Sequence, residues 1–469
     1  MKNRIVRIGT VLLAMISFHM QLQSQNVART GYFVENATHR HLMNPALTPL
    51  RGYVSFPVAG EFSLNLESNT ALSTYLYPSA DGSQLFTFLH EDVTADQFLS
   101  QLDPKNYIRT DLRTSLLSFG FFSGKSFWTF DLATRAHAGL NIPYEMFEFL
   151  KLGMTSSQGN LYEIRDLNIN ANAFVEASLG YSRNVMNNLR VGGKLKFLAG
   201  GASLIANVKQ MDIEMRPEQW TITTIGELNA YGKGLALVKD SAGVIENVDF
   251  DSPGLGGMGA AIDLGVTYSP IPNLEISAAI IDLGAIRWNQ ENIKSAAASG
   301  SVTFSGIDNI GTDEGNEDEM DAQMEQLEED LLKMAEFKEV YATEDFMERL
   351  NPTVNAGLEY SFLRNRISVG GLYSARFMEN ETYNELTGSL NLKPARWFNL
   401  TGSYSVMHGV KETFGFALGF APTIINIFLA CDYTFYNVTP TFVPINTATT
   451  NFQLGVSIPL AFGKLPAKH

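Results

Sequence analysis

Bulky apolar side chains fall on every second position through much of this chain. Over 451–462, Phe452, Leu454, Val456, Ile458, Leu460 and Phe462 alternate with Gln453, Gly455, Ser457, Pro459 and Ala461. In "TVNAGLEYSF", Val354, Ala356, Leu358, Tyr360 and Phe362 face away from Thr353, Asn355, Gly357, Glu359 and Ser361. "FGFALGFA", "IINIFLACDYTF" and "LRVGGKLKF" repeat the pattern. Successive strand residues point to opposite faces, so each segment is greasy on one side and slim or polar on the other. Segments this long suit a tilted bilayer crossing better than a soluble sandwich strand.

The connections have a parity. Counting back from 462, the short ones, at 421–423, 393–396, 363–365, 269–273, 182–188 and 123–125, fall at every other turn, and most others are long. Membrane barrels show short turns on the periplasmic side and long loops outside. Strands descending to the short turns end at Phe122, Tyr181, Tyr268, Phe362, Leu392, Phe420 and Phe462; six of the seven are aromatic, as an interfacial girdle requires. The pattern predicts an all-β fold: a transmembrane antiparallel outer-membrane β-barrel of about fourteen strands. These run over 52–68, 113–122, 126–140, 168–181, 189–209, 258–268, 274–289, 352–362, 366–377, 383–393, 397–407, 413–420, 424–436 and 451–462. Residues 218–232 read as a strand extension beyond the membrane.

Other stretches are not wall. Lys2, Arg4 and Arg7 precede the apolar run Ile8 to Phe18, so 1–25 reads as an export signal. Residues 26–50 are turn-rich and form an N-terminal segment ahead of the first strand. The barrel takes 51–462, with an extracellular insert at 306–350, and 463–469 is a tail. Within 69–112, Thr94 and Gln97 have capping-box spacing before Phe98, Leu99 and Leu102, which predicts a short helix. Asp313 to Glu339 holds twelve acidic residues against Lys333 and Lys338. Its Met320, Met324, Leu327, Leu331 and Met334 recur at helical spacing, which predicts an amphipathic acidic helix.

Charge and composition narrow the function. The formal charge of −15 offers no basic patch for phosphates, which argues against a nucleic-acid partner. The single cysteine, Cys431, excludes an intramolecular disulfide. "GLGGMG" has dinucleotide spacing at Gly254, Gly256 and Gly259, but an alternating strand follows where that motif needs a helix. His39 and His41 would share a face on a strand, with no further ligand beside them, so no metal or cofactor is expected. No nucleophile elbow or Ser–His–acid set is present, and no enzyme is expected. Facing the lumen by parity are Asp131, Arg135, Glu176, Arg190, Lys194, Lys196, Asp263, Glu275, Glu359 and Arg376. Mixed signs at that density favour crossed salt bridges and a plugged interior over an open porin, with a wet channel that tolerates charge as the alternative the sequence leaves open.

Asn44, Pro45 and Ala46, the "NPA" ahead of the first strand, resemble the start of FadL-type long-chain fatty-acid transporters and of the related PorV-type proteins of type IX secretion. Residues 112–141, 257–270 and 351–362 resemble a family of uncharacterised Bacteroidota outer-membrane proteins. The resemblance implies a FadL-like barrel with 26–50 as a hatch, and no activity. Two functions fit. One is passive transport of a hydrophobic or amphipathic small molecule, in contact with outer-membrane lipid and lipopolysaccharide. The other is a PorV-like barrel that binds a secreted or surface protein and transports nothing.

Overall fold

The computed structural model describes residues 27–78, 85–157, 159–239, 243–304, 337–342, 344–378, 382–407, 411–433 and 449–460. The signal 1–25, the tail 463–469, Phe462 and the helical stretch of the acidic insert up to 336 lie outside them.

Fourteen wall strands form one closed antiparallel sheet. They are β1 (Gly52–Ser55 continued by Phe62–Ser68), β2 (Lys105–Ser123), β3 (Ser126–Pro143), β4 (Asn160–Met186), β5 (Leu189–Met215), β6 (Gly257–Ile271) and β7 (Leu274–Trp288). The circle continues through β8 (Thr353–Phe362), β9 (Ile367–Phe377), β10 (Thr382–Ala395), β11 (Phe398–Met407), β12 (Lys411–Phe420), β13 (Asn426–Tyr433) and β14 (Thr450–Leu460). Closure is made by β14 against β1, with Val54 opposite Ile458 and Leu64 opposite Phe452. β1 in turn pairs β2. Unpaired backbone groups in hydrocarbon cost several kcal/mol each, so a sheet with this outer face is stable only without edges.

The alternation sorts by face as expected. On β14, Gln453, Gly455 and Ser457 are buried inside, while Phe452, Leu454, Val456 and Ile458 lie outside. On β5, Lys194 and Lys196 are buried and Leu195 and Phe197 are exposed. The girdle rings pack in pairs near the short turns: Trp128 with Tyr181 at 4.6 Å, Tyr360 with Phe362 at 4.8 Å, and Trp397 with Phe420 at 5.5 Å. Several short turns are tighter than the sequence implied. β4 and β5 are joined by Asn187 and Asn188 alone, because pairing continues to Met186 and Leu189. The β8–β9 turn holds Leu363, Arg364 and Asn365 all at positive φ.

At the long-loop end, β4 and β5 run 27 residues each. Above Gly200, β5 leaves β6 and pairs with Trp220–Lys239, which also pairs with Ile293–Phe304. This is the extension expected over 218–232, but longer and wider. Ile293–Phe304 escaped notice because "SAAASGSVTF" has small residues where a wall strand has bulky ones. The "GLGGMG" stretch sits at the parting of β5 from β6, where Gly256 N–H donates to Gly200 O at 2.9 Å. A strand follows it, as expected.

A helix, α1 (Ala95–Leu99), is capped by Thr94, whose hydroxyl accepts from Gln97 N–H at 3.2 Å. It packs Phe98 on Phe88 and on Phe147 of a second helix, α2 (Tyr144–Leu152), which the pattern did not announce. One expectation is corrected. The end of the predicted acidic helix is a strand, because Lys338–Val340 pairs with Ser295, Ala296 and Ala297. Among the described residues no helix is long and apolar enough to cross a membrane.

Candidate functional site: the lumen and the segment within it

Residues 27–50 lie inside the cylinder, and nearly all are buried. They form two 3-10 turns, Arg29–Phe33 and Thr38–Leu42. His39 and His41 therefore sit on a tight turn, not on the shared strand face that the sequence allowed. The wall meets the segment with glycine. A Cβ on Gly357 would strike the Tyr32 ring, one on Gly370 the Phe33 ring, one on Gly415 the Thr30 hydroxyl and one on Gly455 the His39 ring. The slim face of these strands is thus a bed for chain as well as a polar lining.

Contacts radiate from the segment to much of the circumference. Arg29 N–H donates to Asp432 at 2.6 Å, and its guanidinium pairs with Glu385. Thr30 bonds Asp432 and Ser403. The Tyr32 hydroxyl meets Ser277 at 2.7 Å, Asn355 donates to Met43 O at 2.9 Å, and Asn426 donates to Asn36 O at 2.9 Å. Lys393 donates to Glu35 at 3.0 Å and to Glu359 at 2.7 Å. An apolar stripe of Tyr32, Phe33, Leu42, Met43 and Leu47 packs on Leu372.

Asn44, Pro45 and Ala46 make the turn that ends the segment. The Asn44 side-chain oxygen accepts from Ala46 N–H at 2.9 Å, an Asx-type turn. Its amide donates to Val266 O and Ala278 O on β6 and β7, each at 3.3 Å. Pro45 lies over Gly192 and Gly265. The tripeptide therefore touches three adjacent wall strands.

Six of the expected lumenal charges converge in one buried row. Arg113 pairs with Glu61 at 3.0 Å and Glu176 at 3.3 Å. Arg135 pairs with Glu176 at 2.9 Å and Asp282 at 3.0 Å. Lys196 closes the row on Asp282 at 2.6 Å and Asp263 at 2.7 Å. Beside it Lys194 donates to Asp131 at 3.0 Å and to His41 Nδ1 at 2.9 Å. That leaves His41 Nε2 to donate to the Tyr53 hydroxyl at 2.9 Å, so its partners select the tautomer. The side chains in this row are no more than 4% exposed. Charges that dry persist only when paired.

The other four expected charges stay apart from that row. Glu359 joins Lys393 across the intervening strand β9. Arg190, half-buried, donates to Ser182 at 3.3 Å, and Glu275 on β7 is half-buried. Arg376 is buried high on β9, and its Nε has no hydrogen-bond partner among the described residues.

Three members of the row were missed from the sequence, and two have a geometric reason. Asp282 shares sequence parity with the outward-facing Ile276, Ala278 and Ile280. A one-residue bulge opposite Asp263 turns it inward at φ 62°. Its N–H donates to Asp263 at 2.8 Å. Glu61 follows a break in β1, where 56–60 loop outward between two paired segments. Arg113, at the predicted start of β2, was simply not counted. Among the described residues no cluster of three His, Cys, Asp or Glu could hold a metal ion.

The model of a family of unknown function, DUF5723, matches residues 45–432. No curated protein matches in sequence. Among solved structures, a mutant of the TodX monoaromatic hydrocarbon channel aligns at TM-score 0.44 and 10% identity, over 91% of this chain and 95% of its own. The CymD monoaromatic hydrocarbon channel aligns at TM-score 0.42 and 10% identity, covering 95% and 99%. A Pseudomonas aeruginosa FadL homologue aligns at TM-score 0.40 and 9% identity, covering 94% and 97%.

Proposed function

The chain belongs to the family of unknown function DUF5723, and we propose that within it this barrel is a gated outer-membrane channel for hydrophobic or amphipathic small molecules. Residues 26–50 act as its hatch. The observation that carries the reading is the occupied lumen. The segment is held by hydrogen bonds, by the Arg29–Glu385 and Glu35–Lys393 ion pairs and by two small apolar clusters, on a wall shaved to glycine along its track. The charged row beside it belongs mostly to the wall, and the sheet closes through pairings among wall strands alone. A solute on the released track meets Leu372 on one side and the polar row on the other, which suits an amphipathic molecule. The short-turn and long-loop asymmetry supports an outer-membrane setting with the short turns in the periplasm.

The test is a reversible lock. Thr30 and Ser403 hydroxyls are 2.5 Å apart, so Thr30→Cys with Ser403→Cys, in a Cys431→Ser background, can tie the segment to β11. In liposomes, uptake of a dansylated long-chain acid should stop when the pair is oxidised and return on reduction. Deleting 26–48 should raise it above wild type. Equal uptake by wild type, locked and deleted proteins would refute transport and leave the barrel as a binding protein for secreted or surface partners.

A further inference from the structure

The turns at the short-turn end carry an unbalanced set of side chains. Lys125, Arg364, Arg366 and Arg396 lie in them and Arg183 lies at the adjoining end of β4. All five are exposed, and none forms an ion pair with a described residue. The turns 124–125, 187–188, 272–273, 363–366, 396–397 and 421–425 contain no Asp or Glu, in a chain of formal charge −15. Apolar residues share the tips: Ile424 is 79% exposed, Leu363 69%, Met186 62% and Ile271 50%. A protein partner on one side would cover only one arc of such a ring. These residues are spread round the circumference, from the β4–β5 turn to the β12–β13 turn, immediately below the aromatic girdle. Rings, aliphatic tips and long-stemmed cations together are the composition that a phospholipid headgroup layer selects.

One place in the ring is shaped as a seat. A cleft of about 30 Å³ lies where the N-terminal segment leaves the barrel, lined by Arg51, Arg396, Leu50, Asn426 and Pro459. That is room for a group the size of two or three waters. Arg51 is steered there by donating Nη1 to Pro422 O at 3.2 Å. Next to Arg396, Trp397 is exposed on the outer wall and packs edge-on against Phe420. Two guanidinium forks beside a membrane-facing ring fit a phosphate whose acyl chains run up the wall.

We propose that the short-turn end binds the headgroup phosphate of anionic phospholipids, with its formed seat between Arg51 and Arg396. The proposal needs only the barrel, so it stands or falls apart from transport. The experiment uses the full protein in phosphatidylcholine nanodiscs carrying either brominated phosphatidylglycerol or brominated phosphatidylcholine. Quenching is read at Trp128 and Trp397, the two girdle tryptophans; Trp220 and Trp288 sit at the long-loop end. Half-quenching should need about fivefold less brominated phosphatidylglycerol, the effect of one cation near an anionic surface. Arg51→Gln with Arg396→Gln should bring the two lipids to parity while the heat-modifiable gel shift of the folded barrel persists. Parity in the wild type, or a preference kept by the double variant, overturns the proposal. A second arm adds inorganic phosphate against chloride at equal ionic strength. If phosphate alone shifts the girdle emission and phosphatidylglycerol shows no preference, the seat takes a free anion and the lipid assignment fails.

Discussion

Replacing Lys196 with methionine should be the most damaging single change in the lumen. Its ammonium is 1% exposed and touches Asp282 at 2.6 Å and Asp263 at 2.7 Å. With it gone, the row keeps four carboxylates, of Glu61, Glu176, Asp263 and Asp282, against the guanidiniums of Arg113 and Arg135. Asp263 then has no cation within ion-pair distance, because both arginines reach other acids. Breaking a buried pair from one side costs about 3–5 kcal/mol, most of it the stranded charge. Lys196→Met should therefore lose about that much in guanidinium unfolding from vesicles, followed by tryptophan emission. Adding Asp263→Asn removes the stranded charge and keeps an acceptor for Asp282 N–H, which now donates to Asp263 at 2.8 Å. The double variant should recover about 2 kcal/mol or more, and the cycle reports the coupling directly. A single-variant loss below about 1 kcal/mol, the range of solvated surface pairs, would mean that water reaches the row. The lumen would then be a wet channel and the reasoning about a dry, filled interior would be wrong.

Other outcomes follow from the same geometry. Asp282→Ala keeps the bulge at positive φ but strips Arg135 and Lys196 of a shared acceptor; it should cost about 3 kcal/mol in the same unfolding assay, against near nothing for the lipid-facing Leu283→Ile. Gly370→Leu puts a side chain where the Phe33 ring lies, so the wall should fold while protease added to the short-turn side cuts within 27–50 sooner than in wild type. At the long-loop end, Glu348 accepts from Trp288 Nε1 at 2.8 Å and burial pushes its carboxyl up to about 7. A folded value above the unfolded one stabilises at low pH and is lost as pH rises through about 7. The outer extension should therefore melt earlier at pH 8 than at pH 5, read by Trp288 emission, and Glu348→Gln should flatten that dependence.

The wall was legible because lipid imposes one rule on every strand. An outward residue must be apolar, so the period of two survives from β2 to β14, and Asp131, Glu176, Lys194 and Lys196, which parity turns inward, are buried in the structure. What escaped was whatever breaks the period. Asp282 reads as lipid-facing until a bulge turns it, and the break in β1 hides Glu61. The segment 27–50 could be suspected from its turns and from "NPA", but its contacts, such as Arg29 with Glu385 and Asp432, span more than 350 residues and leave no local trace. The glycines carried a signal that went unused. Gly357, Gly370, Gly415 and Gly455 all fall on the inner parity, and a run of bare positions there marks where something else must fit.

Because the segment touches β5, β6, β7, β8, β10, β11 and β13 at once, it behaves as a hub whose spokes reach most of the rim. It can seat fully only after the rim is complete, and every spoke it makes then opposes opening of the seam between β14 and β1. Occupancy of the hub and integrity of the hoop are therefore two readings of one equilibrium: whatever draws the segment out must also loosen the cylinder that holds it.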